Sequence, residues 1–283
     1  MSEHESQSPT KRNPLWRFLR IAVGVYFGLC IVMMALESRL VYPRPRNSSP
    51  SDWKISQADQ TDVMFAAEDG VTLHGWFFAH EDPDYAILYC HGNGENISHN
   101  AAYMSFLRER LKASIFIFDY RGYGKSNGSP DENGLILDGL AAQMWLADNM
   151  QIELDEVVLM GRSLGGGVAV AIAAKRGARA LALQNTFAAM WEVAAEKFPW
   201  LPVQWIMSNR YPSADRIKQY QGPLIQIHGT EDRIVPYTQG KKLFAAAPGN
   251  KKLWIDNPDQ GHNQPLPRSY FQALAEFLKE TAD

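Results

Sequence analysis

Ser163 stands in Gly161-Arg162-Ser163-Leu164-Gly165, directly after the apolar run VVLM and before LGGGVAVAIAA. A serine hydroxyl is a poor nucleophile at neutral pH and needs an adjacent base. A G-x-S-x-G stretch between a strand and a helix puts the serine on a sharp, strained turn, and its flanking glycines keep Cβ atoms out of the way. The same five residues also read as a glycine-rich connection with a serine cap, so the rest of the chain must decide. Downstream, His228 opens HGTED and His262 lies in DQGHN, with Asp232 between them. Serine, then acid, then histidine, each in the loop after an apolar run, is one chain order in which a hydroxyl is activated for acyl transfer. In that arrangement Ser163 attacks a carbonyl carbon, His262 takes and returns the proton, and Asp232 holds the imidazole in the useful tautomer. The backbone N–H of Leu164 is one donor for the oxyanion. Glu231, next to Asp232, is the alternative acid. His91 precedes the nucleophile and is expected to brace a loop. His228 reads as a turn histidine, and His74, His80 and His99 read as surface or loop residues.

These residues need elements to hold them. VMFAA and VTLHGWFFA bracket Glu68-Asp69-Gly70 and predict two strands joined by a tight turn. Thereafter strands alternate with helices. YAILYC, SIFIFDY, EVVLM, ALALQ, PLIQIH and KKLWID predict strands. ISHNAAYMSFLRERL, a helix with Leu137, Leu140, Ala141 and Met144 on one face, LGGGVAVAIAAKRG and PRSYFQALAEFLKE predict helices. Short strands, apolar nearly throughout and separated by helices, imply an α/β fold with a parallel sheet covered on both faces. Ligands in such sheets gather at the carboxyl ends of the strands, where each of these polar motifs falls.

From about residue 60 onward the chain resembles an α/β-hydrolase, and in particular the bud-emergence-type group of membrane-anchored serine hydrolases. The resemblance is carried by HGNGENISH, DYRGYGKSNGSP, GRSLGG, HGTEDRIVP and GHN, in that order. It implies a mostly parallel central sheet with helices on both faces, a hydrolase domain over 59–283 and a short cap insertion at about 186–215. It also implies that the N–H of Asn93 is the second oxyanion donor, and that Asp119, Arg121 and Ser126 form a structural loop. The implied activity is cleavage of ester or thioester bonds, with amides as a further possibility. A prolyl-oligopeptidase-type peptidase shares the catalytic domain, but a propeller-sized extra domain is missing. A non-catalytic anchored scaffold would have no need of the full Ser, Asp, His and glycine set.

The cap segment TFAAMWEVAAEKFPWLPVQWIMSNRYPSAD carries Phe187, Trp191, Phe198, Trp200, Trp205, Ile206 and Met207. It is too short for a core of its own. Trp191, Phe198, Trp200 and Trp205 are therefore expected to line the mouth of the substrate pocket or face a bilayer, which favours a small or lipid-like lipophilic acyl substrate.

Composition removes other classes. Over 283 residues, 28 Lys and Arg face 31 Asp and Glu for a net charge of -3. There is no basic stripe for nucleic acid. No zinc-ligand spacing or phosphate-cradling loop is present, so no cofactor or metal is expected. Ile21 to Leu36 is free of charge. Its helix would reach roughly 24 Å, and Phe18, Leu19 and snorkelling Arg17 and Arg20 extend it toward a bilayer core of about 30 Å. The expectation is a tail over 1–17, a single-pass anchor over 18–38 and a polar linker over 39–58. The catalytic domain is expected on the non-cytoplasmic side. A cleaved signal peptide and a core helix are the other readings, the former disfavoured by the lack of small residues in A-x-A spacing after the run.

Overall fold

Largely apolar runs, many of them rich in β-branched and aromatic residues, form the sheet. A computed structural model describes residues 14–43 and 60–281. Eight strands lie in the order β1-β2-β4-β3-β5-β6-β7-β8. They are β1 (Gln60–Ala66), β2 (Thr72–Phe78), β3 (Tyr85–Cys90), β4 (Ala113–Asp119), β5 (Val158–Arg162), β6 (Ala180–Gln184), β7 (Leu224–Gly229) and β8 (Lys252–Asn257). β1 and β2 form the expected antiparallel hairpin, and β2 pairs antiparallel with β4. From β4 to β8 every pairing is parallel.

Strands β3, β4, β6 and β7 are buried at every residue. Successive side chains of a strand point to opposite faces, so a strand covered on both sides must be apolar throughout. Leu88 and Cys90 accordingly enter one core layer, with α3 (Glu132–Met150) and α4 (Leu164–Arg176). Ile87 and Tyr89 enter the other, with α2 (Ala101–Leu111) and α9 (Arg268–Lys279). The cap segment after β6 holds three short helices, Met190–Lys197, Val203–Ile206 and Ser213–Arg216. A further helix, Tyr237–Ala246, joins β7 to β8.

Three expectations change. Met144, placed by spacing on the packed face of α3, is exposed. Leu140 and Ala141 are buried as expected and Leu137 is half-buried, while Leu135, Ile136 and Leu146 also pack inward, because the helix lies against both the sheet and α4, with Gly139 close to Ile172. His74 is not a surface residue. It sits fully buried on β2, where its Nε2 is 2.7 Å from Asp62 Oδ1. His228 is likewise buried at the end of β7 rather than exposed in a turn.

The loop predicted around Asp119, Arg121 and Ser126 is an internal ion-pair knot. Arg121 pairs with Asp138 and Asp69, and Ser126 Oγ donates to the Asp119 carbonyl at 2.6 Å.

The chain divides into two units, Met1–Glu37 and Ser38–Asp283. The N-terminal helix α1 runs Pro14–Val41, longer at both ends than the 18–38 span expected, and is long and apolar enough to cross a membrane. Most of the expected linker, residues 44–58 of 39–58, lies outside the described residues, as does most of the tail.

Candidate active site

The register of the sheet gathers the motifs. Cys90 on β3 lies opposite Gly161 on β5, so the loop beginning at His91 runs beside the Ser163 turn. β7 follows β6 in the same direction, and Gly229 lies opposite Asn257 of β8, which places the Asp232 and His262 loops at the same edge.

At Ser163 the backbone has φ 51 and ψ −117, a strained conformation for a residue with a Cβ. The strain is held from several sides. The Ser163 N–H donates to the Gln184 carbonyl at 2.9 Å, and its own carbonyl accepts from Thr186 Oγ1 at 2.7 Å. Gly165 allows α4 to come this close to β3, since a Cβ there would collide with the Cys90 carbonyl. Ser163 Oγ lies 3.0 Å from His262 Nε2, and His262 Nδ1 lies 2.6 Å from Asp232 Oδ2. Three residues separated by up to 99 positions thus form one hydrogen-bonded line.

Asp232 and Glu231 separate clearly. Glu231 is exposed, whereas the Asp232 side chain is fully buried. Asp232 Oδ1 accepts from the N–H groups of Ile234 and Val235 at 2.8 and 2.9 Å. His228 Nε2, which donates to the Val235 carbonyl at 2.9 Å, also lies 3.4 Å from Asp232 Oδ2. Burial alone would favour the neutral acid. The hydrogen bonds from His228 and His262 outweigh it and hold the Asp232 carboxyl well below the usual carboxylate range. A carboxylate held charged beside an imidazole stabilises the imidazolium that forms when the ring takes a proton.

Leu164 is the first residue of α4, so its N–H belongs to a helix N-terminus, where unpaired donors and the helix dipole favour an anion. Asn93 lies in the loop after β3. Its Oδ1 accepts from Tyr123 Oη at 2.7 Å and from the Gly94 N–H at 3.1 Å, and its Nδ2 donates to the Val41 carbonyl. His91 is turned away from the serine, with Nδ1 2.7 Å from the Gly92 carbonyl and its ring packed on Tyr120.

Two bracing residues escaped sequence reasoning. Asn185, at φ 46, donates from Nδ2 to the His262 carbonyl at 2.8 Å and accepts the Gly229 N–H at 3.0 Å. It ties the histidine loop to the end of β7. An asparagine directly after a buried strand was the available signal, since Asn tolerates the left-handed region. Arg162, the variable position of the serine motif, donates to Asn263 Oδ1 at 2.8 Å and pairs with Glu95 at 3.4 Å. Glu95 in turn accepts the Gly92 N–H at 2.6 Å, so the histidine loop and the Asn93 loop are linked.

The cap aromatics divide. Trp191 is half-buried beneath the Arg210 guanidinium, 5.3 Å from the ring centroid, and Phe198 is half-buried edge-on to Trp200. Trp200 and Trp205 are 49% and 78% exposed, so neither is enclosed within the domain. Among the described residues, no group of three or more His, Cys, Asp or Glu side chains is spaced to hold a metal ion.

A doubly covered, mostly parallel sheet with a serine turn after its fifth strand defines the α/β-hydrolase class. The family model for the alpha/beta hydrolase fold matches residues 85–208. The protein bem46 of Schizosaccharomyces pombe is 31% identical over 273 residues, covering 89% of this chain and 91% of its own. An uncharacterised protein of Mycobacterium tuberculosis is 36% identical, covering 93% of this chain and 94% of its own. An esterase of Pyrococcus furiosus superposes with a TM-score of 0.65 at 22% identity, over 86% of this chain and 97% of its own, a likeness of fold. The chain belongs to the α/β-hydrolase family, in the group that includes bem46.

Proposed function

We propose that this protein is a serine hydrolase that cleaves ester or thioester bonds through an acyl-enzyme on Ser163. The observation that carries the reading is the line from Ser163 Oγ to His262 Nε2 and from His262 Nδ1 to Asp232, at 3.0 and 2.6 Å. In the first half-reaction His262 takes the hydroxyl proton as Ser163 Oγ adds to the carbonyl carbon. The N–H groups of Leu164 and Asn93 receive the oxyanion. His262 then gives its proton to the departing alcohol or thiol. In the second half-reaction a water is deprotonated by His262, adds to the acyl carbon, and the intermediate collapses to release the acid and the serine. The test is reaction of the full chain with a fluorophosphonate probe followed by peptide mapping. The expected adduct lies on Ser163, and adducts elsewhere or none would remove the assignment.

The substrate is proposed to be a lipophilic acyl compound. Support comes from the exposed rings of Trp200 and Trp205 on a cap that lacks a core of its own, and from an apolar helix suited to a bilayer. Each methylene removed from water should improve binding by about 0.8 kcal/mol until the pocket is full. Accordingly, kcat/KM is expected to rise from acetyl to medium-chain p-nitrophenyl esters, with Trp200→Ala or Trp205→Ala flattening the series. Best turnover of acetyl esters, unaltered in both variants, would instead mean a small closed pocket.

α1 is proposed to be a single-pass anchor with the hydrolase unit on the non-cytoplasmic side. Lys11, Arg12, Arg17 and Arg20 precede the apolar stretch, against Arg39, Arg44 and Arg46 after it, and the more basic flank stays in the cytoplasm. Protease added to intact cells or spheroplasts is expected to digest the hydrolase unit. Complete protection would reverse the orientation.

A further inference from the structure

The last residue of α1, Val41, and the residue after it, Tyr42, reach the loops around the site. Tyr42 is 2% exposed. Its hydroxyl donates to Asn209 Oδ1 at 2.8 Å and lies 2.9 Å from the Tyr211 hydroxyl. Both partners sit at the base of the cap segment. Asn209 Oδ1 also accepts the Glu132 N–H at 2.8 Å, and Glu132 accepts from the Tyr211 N–H at 2.9 Å and from Arg216 at 2.6 Å. This network seats Tyr42 firmly between the cap and the start of α3.

One residue earlier, the Val41 carbonyl accepts the hydrogen bond from Asn93 Nδ2. The other end of the Asn93 amide is held by Tyr123 and by Gly94. Glycines stand on both sides of Asn93, and Gly94 has φ +74, so the main chain here has few restraints of its own. An oxyanion donor must lie about 2.7–3.1 Å from the developing charge to be effective. A loop between two glycines keeps that distance only if its side chain is gripped from outside, and Val41 supplies one of the grips.

We propose that Tyr42 and the Val41 carbonyl are positioning elements for the oxyanion-binding main chain at Asn93. The stretch that follows the apolar helix is then part of the catalytic apparatus as well as a tether. This inference rests on the serine hydrolase reading and on the role given there to the Asn93 N–H. Unseating Tyr42 lets Val41 move, removes the hold on the Asn93 Nδ2 end of the amide and loosens one donor of the oxyanion hole. The ground-state carbonyl depends less on that donor than the transition state does, so kcat falls while KM changes little.

The experiment uses the full chain in detergent micelles. Fluorophosphonate labelling of the wild type comes first, and an unlabelled wild type overturns the serine reading and this inference together. With labelling present, kcat and KM are measured for Tyr42→Ala, Asn93→Ala, the double variant and Tyr42→Phe. Tyr42→Ala and Asn93→Ala are each expected to lower kcat about tenfold, part of the loss typical of one oxyanion donor. Because both act through one linkage, the double variant should also lose about tenfold rather than about a hundredfold. Tyr42→Phe keeps the seated ring and should recover most of the kcat lost in Tyr42→Ala. A domain merely destabilised by Tyr42→Ala would show a lower active fraction and multiplicative losses with Asn93→Ala. Multiplicative losses, or unchanged kcat in Tyr42→Ala, overturn the inference in a labelled enzyme. If Tyr42→Ala does not fold, the cycle is run with Tyr42→Phe, where a smaller loss that vanishes in the Asn93→Ala background is the supporting result and full additivity the overturning one.

Discussion

Ser163→Ala is expected to abolish fluorophosphonate labelling and lower kcat by about a million-fold, the scale seen when a serine nucleophile is removed. The fold should survive. The Ser163 side chain makes its hydrogen bond to His262, while the bonds that hold the turn come from its main chain to Gln184 and Thr186. Alanine and serine both carry a Cβ, so the cost of φ 51 is already present in the wild type. Thermal unfolding of the variant should therefore match the wild type. Adding His262→Ala should cost little more, since a base without its nucleophile has nothing to activate. Labelling retained in Ser163→Ala would move the nucleophile elsewhere, and a tenfold effect would reduce Ser163 to a structural cap.

Asp232→Asn is expected to lower kcat by about ten-thousand-fold, as when the acid of such a triad becomes an amide. Asp232 is used purely as an acceptor, by two backbone N–H groups on Oδ1 and by His262 on Oδ2. An amide must turn its NH₂ toward one of these donors. It either opposes the backbone N–H groups or forces the imidazole into the tautomer that cannot take the serine proton. Glu231→Gln should leave kcat essentially unchanged, because Glu231 is exposed. Equal losses in the two variants would show the acid to be misassigned.

The depressed Asp232 titration adds a pH test. An unfolded aspartate titrates near about 3.9, and in the folded protein the value is lower. The charged form thus contributes stability that is fully present above the unfolded value and is lost as pH falls through the folded one. The stability difference between wild type and Asp232→Asn should therefore shrink as pH falls below about 4. A difference that did not shrink on acidification would mean that folding does not depress the Asp232 titration.

Much of this molecule is local in origin and therefore legible in the chain. Strands β3 to β7 stand where the apolar runs place them, because a doubly covered strand must be apolar at consecutive positions, and β8 follows as the half-buried edge strand KLWIDN. The β1–β2 hairpin follows from Glu68-Asp69-Gly70, and Gly177 ends α4 as its position after KR suggests. The strained turn at Ser163 and the loops of Asp232 and His262 lie just past strand ends, where the residue pattern puts them, and the three side chains form one hydrogen-bonded line. What the residues alone could not decide was anything resting on contact between distant segments. Asp232 is distinguished from Glu231 by burial and by two backbone donors, which no pattern in HGTED records. His74 and His228 look like loop histidines until the sheet closes around them. Asn185 and Arg162 are unremarkable as residue types, and become braces because adjacent parallel strands bring their loops to one edge. Tyr42, as a residue, is one aromatic just past an apolar helix. Only the fold, by bringing Asn209 and Tyr211 to its hydroxyl and Asn93 to the carbonyl before it, seats it inside the hydrolase unit: hydrogen bonds across more than 160 positions depend on where the chain returns, and no local spacing encodes that.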